Sequence, residues 1–262
     1  MIAVFDSGYG GLTVLKPLLE LLPEYDYMYL GDNARAPYGG HSAETITAFS
    51  EQAVKFLLKK GAKIIVFACN SASATALPRL KKKYGDIIIG VITPAVEKAV
   101  SISKNKRIGV VGTKATIASK AYEKGLKPIT GGAKIYTMAC PLLVPLIEES
   151  WHARPEAGSI LKEYLKPLKS SGIDTLILGC THYPIMLDKF KSIMGKNVNI
   201  LTSGIIMAEN LKTKLKNSPK LEESISKKGK RVFLTTDDPE KFRQFAVKYL
   251  HLKIKTVEKV TF

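Results

Sequence analysis

Two stretches of this 262-residue sequence place reactive side chains directly after a run of apolar residues. Residues 173–178 are largely apolar, stop at Gly179, and deliver Cys180, Thr181 and His182 within three positions. Residues 64–68 run in the same way into Cys69, Asn70 and Ser71. A parallel strand that ends like this presents polar side chains at its carboxyl edge, where open α/β sheets bind their ligands. Two strand-end cysteines have three chemical uses. A zinc site would want third and fourth ligands at familiar spacing, and Cys180-x-His182 is too tight for the usual patterns. A single nucleophilic cysteine with His182 as its base would leave Cys69-Asn70-Ser71 idle. A pair of thiols acting as acid and base on opposite faces of one carbon employs both stretches.

Such chemistry suits these residue types. Inverting a stereocentre without redox needs one group to remove a proton and another to return it on the far face. A free thiol ionises near pH 8.5, so thiol and thiolate are both within reach of neutrality after modest tuning. Each cysteine has a polar helper in view: Asp6 ends the strand expected beside that of Cys69, and His182 lies two residues from Cys180. Asn70, Ser71 and Thr181 offer neutral hydrogen bonds to a small polar substrate. The α-proton of an amino acid is so weakly acidic that positioning and electrostatic preorganisation must supply most of the catalysis. The plainer reading is that an intracellular cysteine is most often buried filler, a small hydrophobe.

The remaining composition narrows the class. A hydrophobic content of 45% and a charged content of 24% are those of an ordinary globular enzyme. No apolar run approaches the ~20 residues of a membrane span, and residues 1–6 read as a first strand rather than a signal peptide, so a cytoplasmic protein is expected. Three cysteines, Cys69, Cys140 and Cys180, are too few and too odd in number for a secreted disulfide framework. The net charge of +17, from 40 basic and 23 acidic residues, raises nucleic acid as a partner. The lysines are spread widely and no aromatics are interleaved as a stacking platform, so a solvated lysine-rich surface is the better reading.

The elements that must hold these residues alternate as strand and helix. The strand at 2–5 ends in Asp6-Ser7-Gly8-Tyr9-Gly10-Gly11, a turn whose third glycine comes too early for a dinucleotide fingerprint. A helix follows with leucines at helical spacing, then a strand at 26–30 and a polar loop containing Asp32, Arg35, Pro37, Tyr38 and Gly39, of the kind that holds substrate. Ser42 and Glu44 introduce a helix to about Lys60. The Cys69 strand, a helix over 73–84 and a strand over 87–92 complete the series. The pattern then restarts: Val110 lies 106 residues after Val4, Cys140 lies 108 after Asp32, and Cys180 lies 111 after Cys69. A doubled α/β unit predicts two lobes related by a pseudo-twofold, each a mostly parallel sheet flanked by helices, with the site in the cleft between them. Residues 1–94 with 208–262 would form the first lobe and 95–207 the second. The tail is expected to contribute a strand at 231–235 and a helix from Pro239 capped by Asp238, to complete the first sheet, and to carry no chemistry of its own.

Taken together, Phe5-Asp6-Ser7-Gly8, the loop from Asp32 to Gly39, Ala68-Cys69-Asn70-Ser71, Cys140-Pro141 with residues 144–148, and Gly179-Cys180-Thr181-His182-Tyr183-Pro184 resemble the glutamate racemases. The likeness runs from residue 2 to about 204. It implies a cofactor-independent enzyme, binding no metal, that interconverts L- and D-glutamate and supplies the D-isomer for peptidoglycan. By that resemblance Cys69 and Cys180 are the acid/base catalysts, assisted by Asp6, His182 and Glu148. Asp6, Ser7, Pro37, Tyr38, Gly39, Asn70, Ser71, Thr181 and His182 would hold the substrate. Two positions depart from the family pattern: Ser71 stands for a threonine, and Thr202 stands where an acidic residue often precedes Ser-Gly, a position for lobe packing or for the cleft's edge. The rival readings are an aspartate or hydantoin racemase of the same fold and a non-catalytic nucleic-acid-binding protein. Histidine after Cys180-Thr181 favours glutamate, since a glutamate there would suggest the aspartate enzymes. The expected partner is the small-molecule substrate, with no membrane, nucleic acid disfavoured and a homodimer allowed.

Overall fold

The computed structural model describes residues 1–130 and 132–262, residues 129 and 130 by their backbone. The first half runs β1 (Ile2–Asp6), α1 (Leu12–Leu21), β2 (Tyr27–Gly31), α2 (Ala43–Lys59), β3 (Ile64–Phe67), α3 (Asn70–Thr75), α4 (Leu77–Tyr84), β4 (Ile88–Gly90) and α5 (Ile92–Ile102). The second runs β5 (Arg107–Gly112), α6 (Lys114–Ala118), α7 (Ala121–Thr130), β6 (Lys134–Ala139), α8 (Leu143–Glu148), α9 (Pro155–Ser170), β7 (Thr175–Gly179), α10 (Leu187–Met194), β8 (Asn199–Thr202) and α11 (Ser203–Lys216). The tail adds α12 (Pro219–Glu223), β9 (Arg231–Thr235), α13 (Pro239–Leu250) and β10 (Glu258–Lys259).

Among the described residues every strand pairing is parallel. The strands form two sheets, ordered β10-β9-β2-β1-β3-β4 and β6-β5-β7-β8. The run β2-β1-β3-β4 and the run β6-β5-β7-β8 are the same order, as duplication requires. The registers agree as well. Ile2 pairs with Tyr27 and Ile64, and Ile108 pairs with Ile135 and Thr175, which reproduces the offsets of 106, 108 and 111 residues. The tail completes the first sheet, with β9 laid against β2 and β10 outside it.

Strands β1, β2, β3 and β7 are buried along their whole length. That is why they read as near-continuous apolar runs rather than alternating ones: helices cover both faces of a parallel sheet. Helix ends follow their capping residues. Ser42 accepts from the Thr45 amide at the start of α2, and Asp238 accepts from the amides of Glu240 and Lys241 at the start of α13. Two boundaries differ from expectation. The helix expected over 73–84 is two, α3 from Asn70, with Cys69 itself as N-cap, and α4 from Leu77. The strand expected over 87–92 stops at Gly90, because Ile92 already opens α5 with Pro94 in its first turn. Thr202 precedes α11, whose buried face (Met207, Ala208, Leu211) joins the core that holds α1. Among the described residues no helix is long and apolar enough to cross a membrane.

Candidate active site

The matching strand orders bring four strand ends to one place. Asp6 ends β1, Cys69 follows β3, Thr113 follows β5 and Cys180 follows β7. Cys69 and Cys180 are both buried, and they line one small cavity with Ser7, Pro37, Tyr38, Gly39, Asn70, Ser71, Thr181 and His182. The cavity holds about 20 Å³, room for no more than a single water, so the cleft is narrow. A much larger cavity of about 640 Å³ opens elsewhere between α4, α5 and α11, but its described wall contains no cysteine, histidine or carboxylate. Size does not mark the chemistry here.

On the first half's side, Cys69 Sγ donates to Ser7 Oγ at 3.4 Å. Burial, with the Asp6 carboxylate second, pushes the Cys69 thiol up to about 12, although Ser7 and the Ala72 amide favour the thiolate. Asp6 is fully buried under the cavity wall, where its Oδ2 accepts from the Gly8 amide at 3.0 Å and its Oδ1 from Thr181 Oγ1 at 3.4 Å. Burial raises its carboxyl above the ordinary range, against the charge of His182 and the amides of Gly11 and Gly8. Asp6 therefore faces groups from both halves.

On the second half's side, His182 lies between Cys180 and Glu148. Its Nδ1 is 4.0 Å from Cys180 Sγ and its Nε2 is 2.9 Å from Glu148 Oε1. Burial works against the imidazolium, but the hydrogen bonds with Cys180 and Glu148 and their charges outweigh it, and the ring is pushed up to about 10. At neutral pH His182 is a cation on one wall and Cys69 a neutral thiol on the other. Glu148, at the end of α8, faces a separate cavity of about 400 Å³ with Glu149, Lys241 and Lys248, and reaches the thiols only through His182.

Tyr38 is held from behind. Its hydroxyl donates to Asp32, which also accepts from Arg35 Nε at 2.7 Å and Thr236 Oγ1 at 2.9 Å. Thr236 belongs to the tail, and so does Phe245, whose ring centroid lies 6.1 Å from that of His182. The tail, expected to carry no chemistry of its own, thus supports the site from behind. The glycine-rich turn after β1 also gains a reason. A Cβ on Gly10 would come within 2.5 Å of His182 Nδ1 and would strike Thr181 Oγ1, so the turn admits the second half's residues rather than a nucleotide. Thr13 Oγ1 donates to the Thr181 carbonyl at 2.8 Å and fixes that approach.

The sequence reading missed Thr113, Val144 and Tyr122. Thr113 lines the cavity, its hydroxyl 2.9 Å from Ser71 Oγ. The signal was available, since Thr113 stands 106 residues after Ser7, the repeat's own offset. Tyr122 donates to Asn70 Oδ1 at 2.7 Å. Among the described residues, no three histidine, cysteine or carboxylate side chains converge as a metal would need.

Known proteins resemble this chain in sequence and in fold. Residues 13–210 match the model of the Asp/Glu/Hydantoin racemase family. A glutamate racemase of Aquifex aeolicus is 47% identical over 216 residues, covering 82% of this chain and 84% of that one. The crystal structure of glutamate racemase isoform RacE1 from Bacillus anthracis superposes with a TM-score of 0.93 at 36% identity, covering 100% of this chain and 97% of that one. That of the Francisella tularensis glutamate racemase, in complex with D-glutamate, does so with a TM-score of 0.90 at 35% identity, covering 99% and 97%. A match that runs through both halves of the duplicated fold leaves one conclusion: the chain belongs to the Asp/Glu/Hydantoin racemase family.

Proposed function

We propose that the narrow cleft interconverts L- and D-glutamate without a cofactor, with Cys69 and Cys180 as the acid/base pair. The observation that carries this reading is that both thiols, one from each half, line a single cavity. One sulfur, as thiolate, takes the α-proton and becomes a thiol, leaving the electron pair on carbon. The opposite thiol gives its proton to the other face and becomes the thiolate. The reverse direction exchanges the roles.

The helpers follow the geometry. His182, held as a cation by Glu148, stabilises negative charge on Cys180 whenever that sulfur is the thiolate. Asp6 stands by Cys69 and Thr181. Ser7, Tyr38, Gly39, Asn70, Ser71 and Thr181 supply polar groups for the substrate's amine and carboxylates, with Pro37 in the same wall. The choice of glutamate rests on His182 following Cys180-Thr181 and on the relatives named glutamate racemase. Within this reading the lobes are residues 1–94 with 208–262 and residues 95–207, and the enzyme works in the cytoplasm to supply D-glutamate for peptidoglycan.

The test is circular dichroism on D-glutamate, with D-aspartate as the control and no added cofactor. Decay of the D-glutamate signal toward zero with D-aspartate unchanged is expected. Turnover of aspartate instead, or a requirement for added pyridoxal phosphate or metal, overturns the proposal.

A further inference from the structure

Asn70 follows Cys69 and lines the cavity, yet its amide is only half used: Oδ1 accepts from Tyr122, while Nδ2 is buried without a partner among the described residues. An unpaired buried donor is costly, and a substrate oxygen would recover that cost. An amide can present either end to the cleft, and which one it presents decides whether it welcomes a carboxylate or repels it. Here the choice is made by one hydroxyl. Tyr122 is itself buried, on α7 of the second half, and its O–H donates to Asn70 Oδ1 at 2.7 Å across the lobe boundary.

The ring that carries this hydroxyl is placed by the other thiol's strand. Gly179 ends β7 immediately before Cys180, and a Cβ there would lie 3.1 Å from Tyr122 Cε2. Tyr122 therefore rests against the residue preceding one thiol and bonds the residue following the other.

We propose that Tyr122 is a positioning residue: its hydroxyl holds the Asn70 amide with the Nδ2 donors toward the cleft and so sets affinity for the substrate carboxylate. This rests on the reading of the cleft as a glutamate site. Because Asn70 would grip the substrate equally in the ground and transition states, its misorientation raises KM and spares kcat.

The experiment begins with the unmodified enzyme, whose failure to racemise glutamate would sink the functional reading itself. Given that activity, Tyr122→Phe is expected to raise KM about 5- to 150-fold for both enantiomers, the worth of one buried hydrogen bond left unmade, with kcat within about twofold. Calorimetric titration with D-glutamate should show the same loss. In an Asn70→Ala background the change at Tyr122 should alter D-glutamate affinity less than about twofold, because the group it acts through is gone. An unchanged KM overturns the assignment. So does a fall in kcat with KM unchanged, an additive effect in the Asn70→Ala background, or a Tyr122→Phe chain that does not fold, since each makes the hydroxyl something other than a guide for the amide.

Discussion

Glu148 Oε1 accepts a hydrogen bond from His182 Nε2 at 2.9 Å, joining the end of α8 to the residue that stands beside Cys180. Cys180 first and Glu148 second keep His182 charged up to about pH 10 despite its burial. Glu148→Gln should move the ring's ionisation down, by the share that Glu148 adds to that of Cys180, measured by titrating the His182 ring signals in the magnetic resonance spectrum. The alkaline limb of kcat/KM should move down with it. The linkage has a definite sign. A base whose folded pKa is raised contributes stability that is complete below its unfolded value and disappears as pH rises toward about 10. Denaturant midpoints should therefore fall more steeply from neutral to alkaline pH in the unmodified protein than in Glu148→Gln.

Removing either sulfur should separate the two half-reactions. Cys69→Ala and Cys180→Ala should each lower racemisation by about 10²- to 10⁴-fold, the usual worth of a positioned acid or base, with the fold intact by circular dichroism. Each single variant should still exchange the α-proton of one enantiomer in heavy water, a different one for each. Exchange of the same enantiomer by both variants would contradict the opposed arrangement.

Asp6 should control how readily Cys69 ionises. Burial and then the Asp6 carboxylate hold that thiol up at about 12, so Asp6→Asn should let Cys69 form thiolate at lower pH. Peptide-resolved alkylation with iodoacetamide at mildly alkaline pH should show Cys69 labelled several-fold faster in the variant. An unchanged rate would show that burial alone sets the thiol.

Gly10→Ala tests the reason given for the glycine-rich turn. The added methyl would lie 2.5 Å from His182 Nδ1, so the imidazole must move. A loss of at least about tenfold in kcat/KM is expected from a displacement approaching 1 Å, with a stability cost of roughly 1–3 kcal/mol from overpacking. Gly40→Ala is the matched control, because nothing lies within 4 Å of its added atom, and it should leave both quantities unchanged.

Much of this arrangement was legible before any coordinates because the strands are fully buried and parallel. Such strands write themselves as apolar runs, and their carboxyl ends are marked where the run stops, at Asp6, Cys69 and Cys180. The duplication was readable as spacing, since sheet registers keep fixed offsets even where residues have diverged. Helix α3 was misplaced because its six residues, Asn70–Thr75, are too few to show an apolar period, and its N-cap is a cysteine rather than a usual capping residue. Tyr122 and Phe245 were invisible for another reason. Each sits on an ordinary amphipathic helix, α7 or α13, where an aromatic reads as core. Only the packing of one half on the other, or of the tail on both, turns Tyr122 toward Asn70 and Phe245 toward His182.

The narrow cavity of about 20 Å³ governs the fate of a hydrogen as well as the entry of a reactant. With room for no more than one water beside the thiols, an isotope lifted from carbon stays on its sulfur until water reaches it. Deuterium placed on the starting enantiomer should thus be washed out at the pace at which water reaches the thiol, so the label's clock reports access of solvent rather than how fast the molecule reacts.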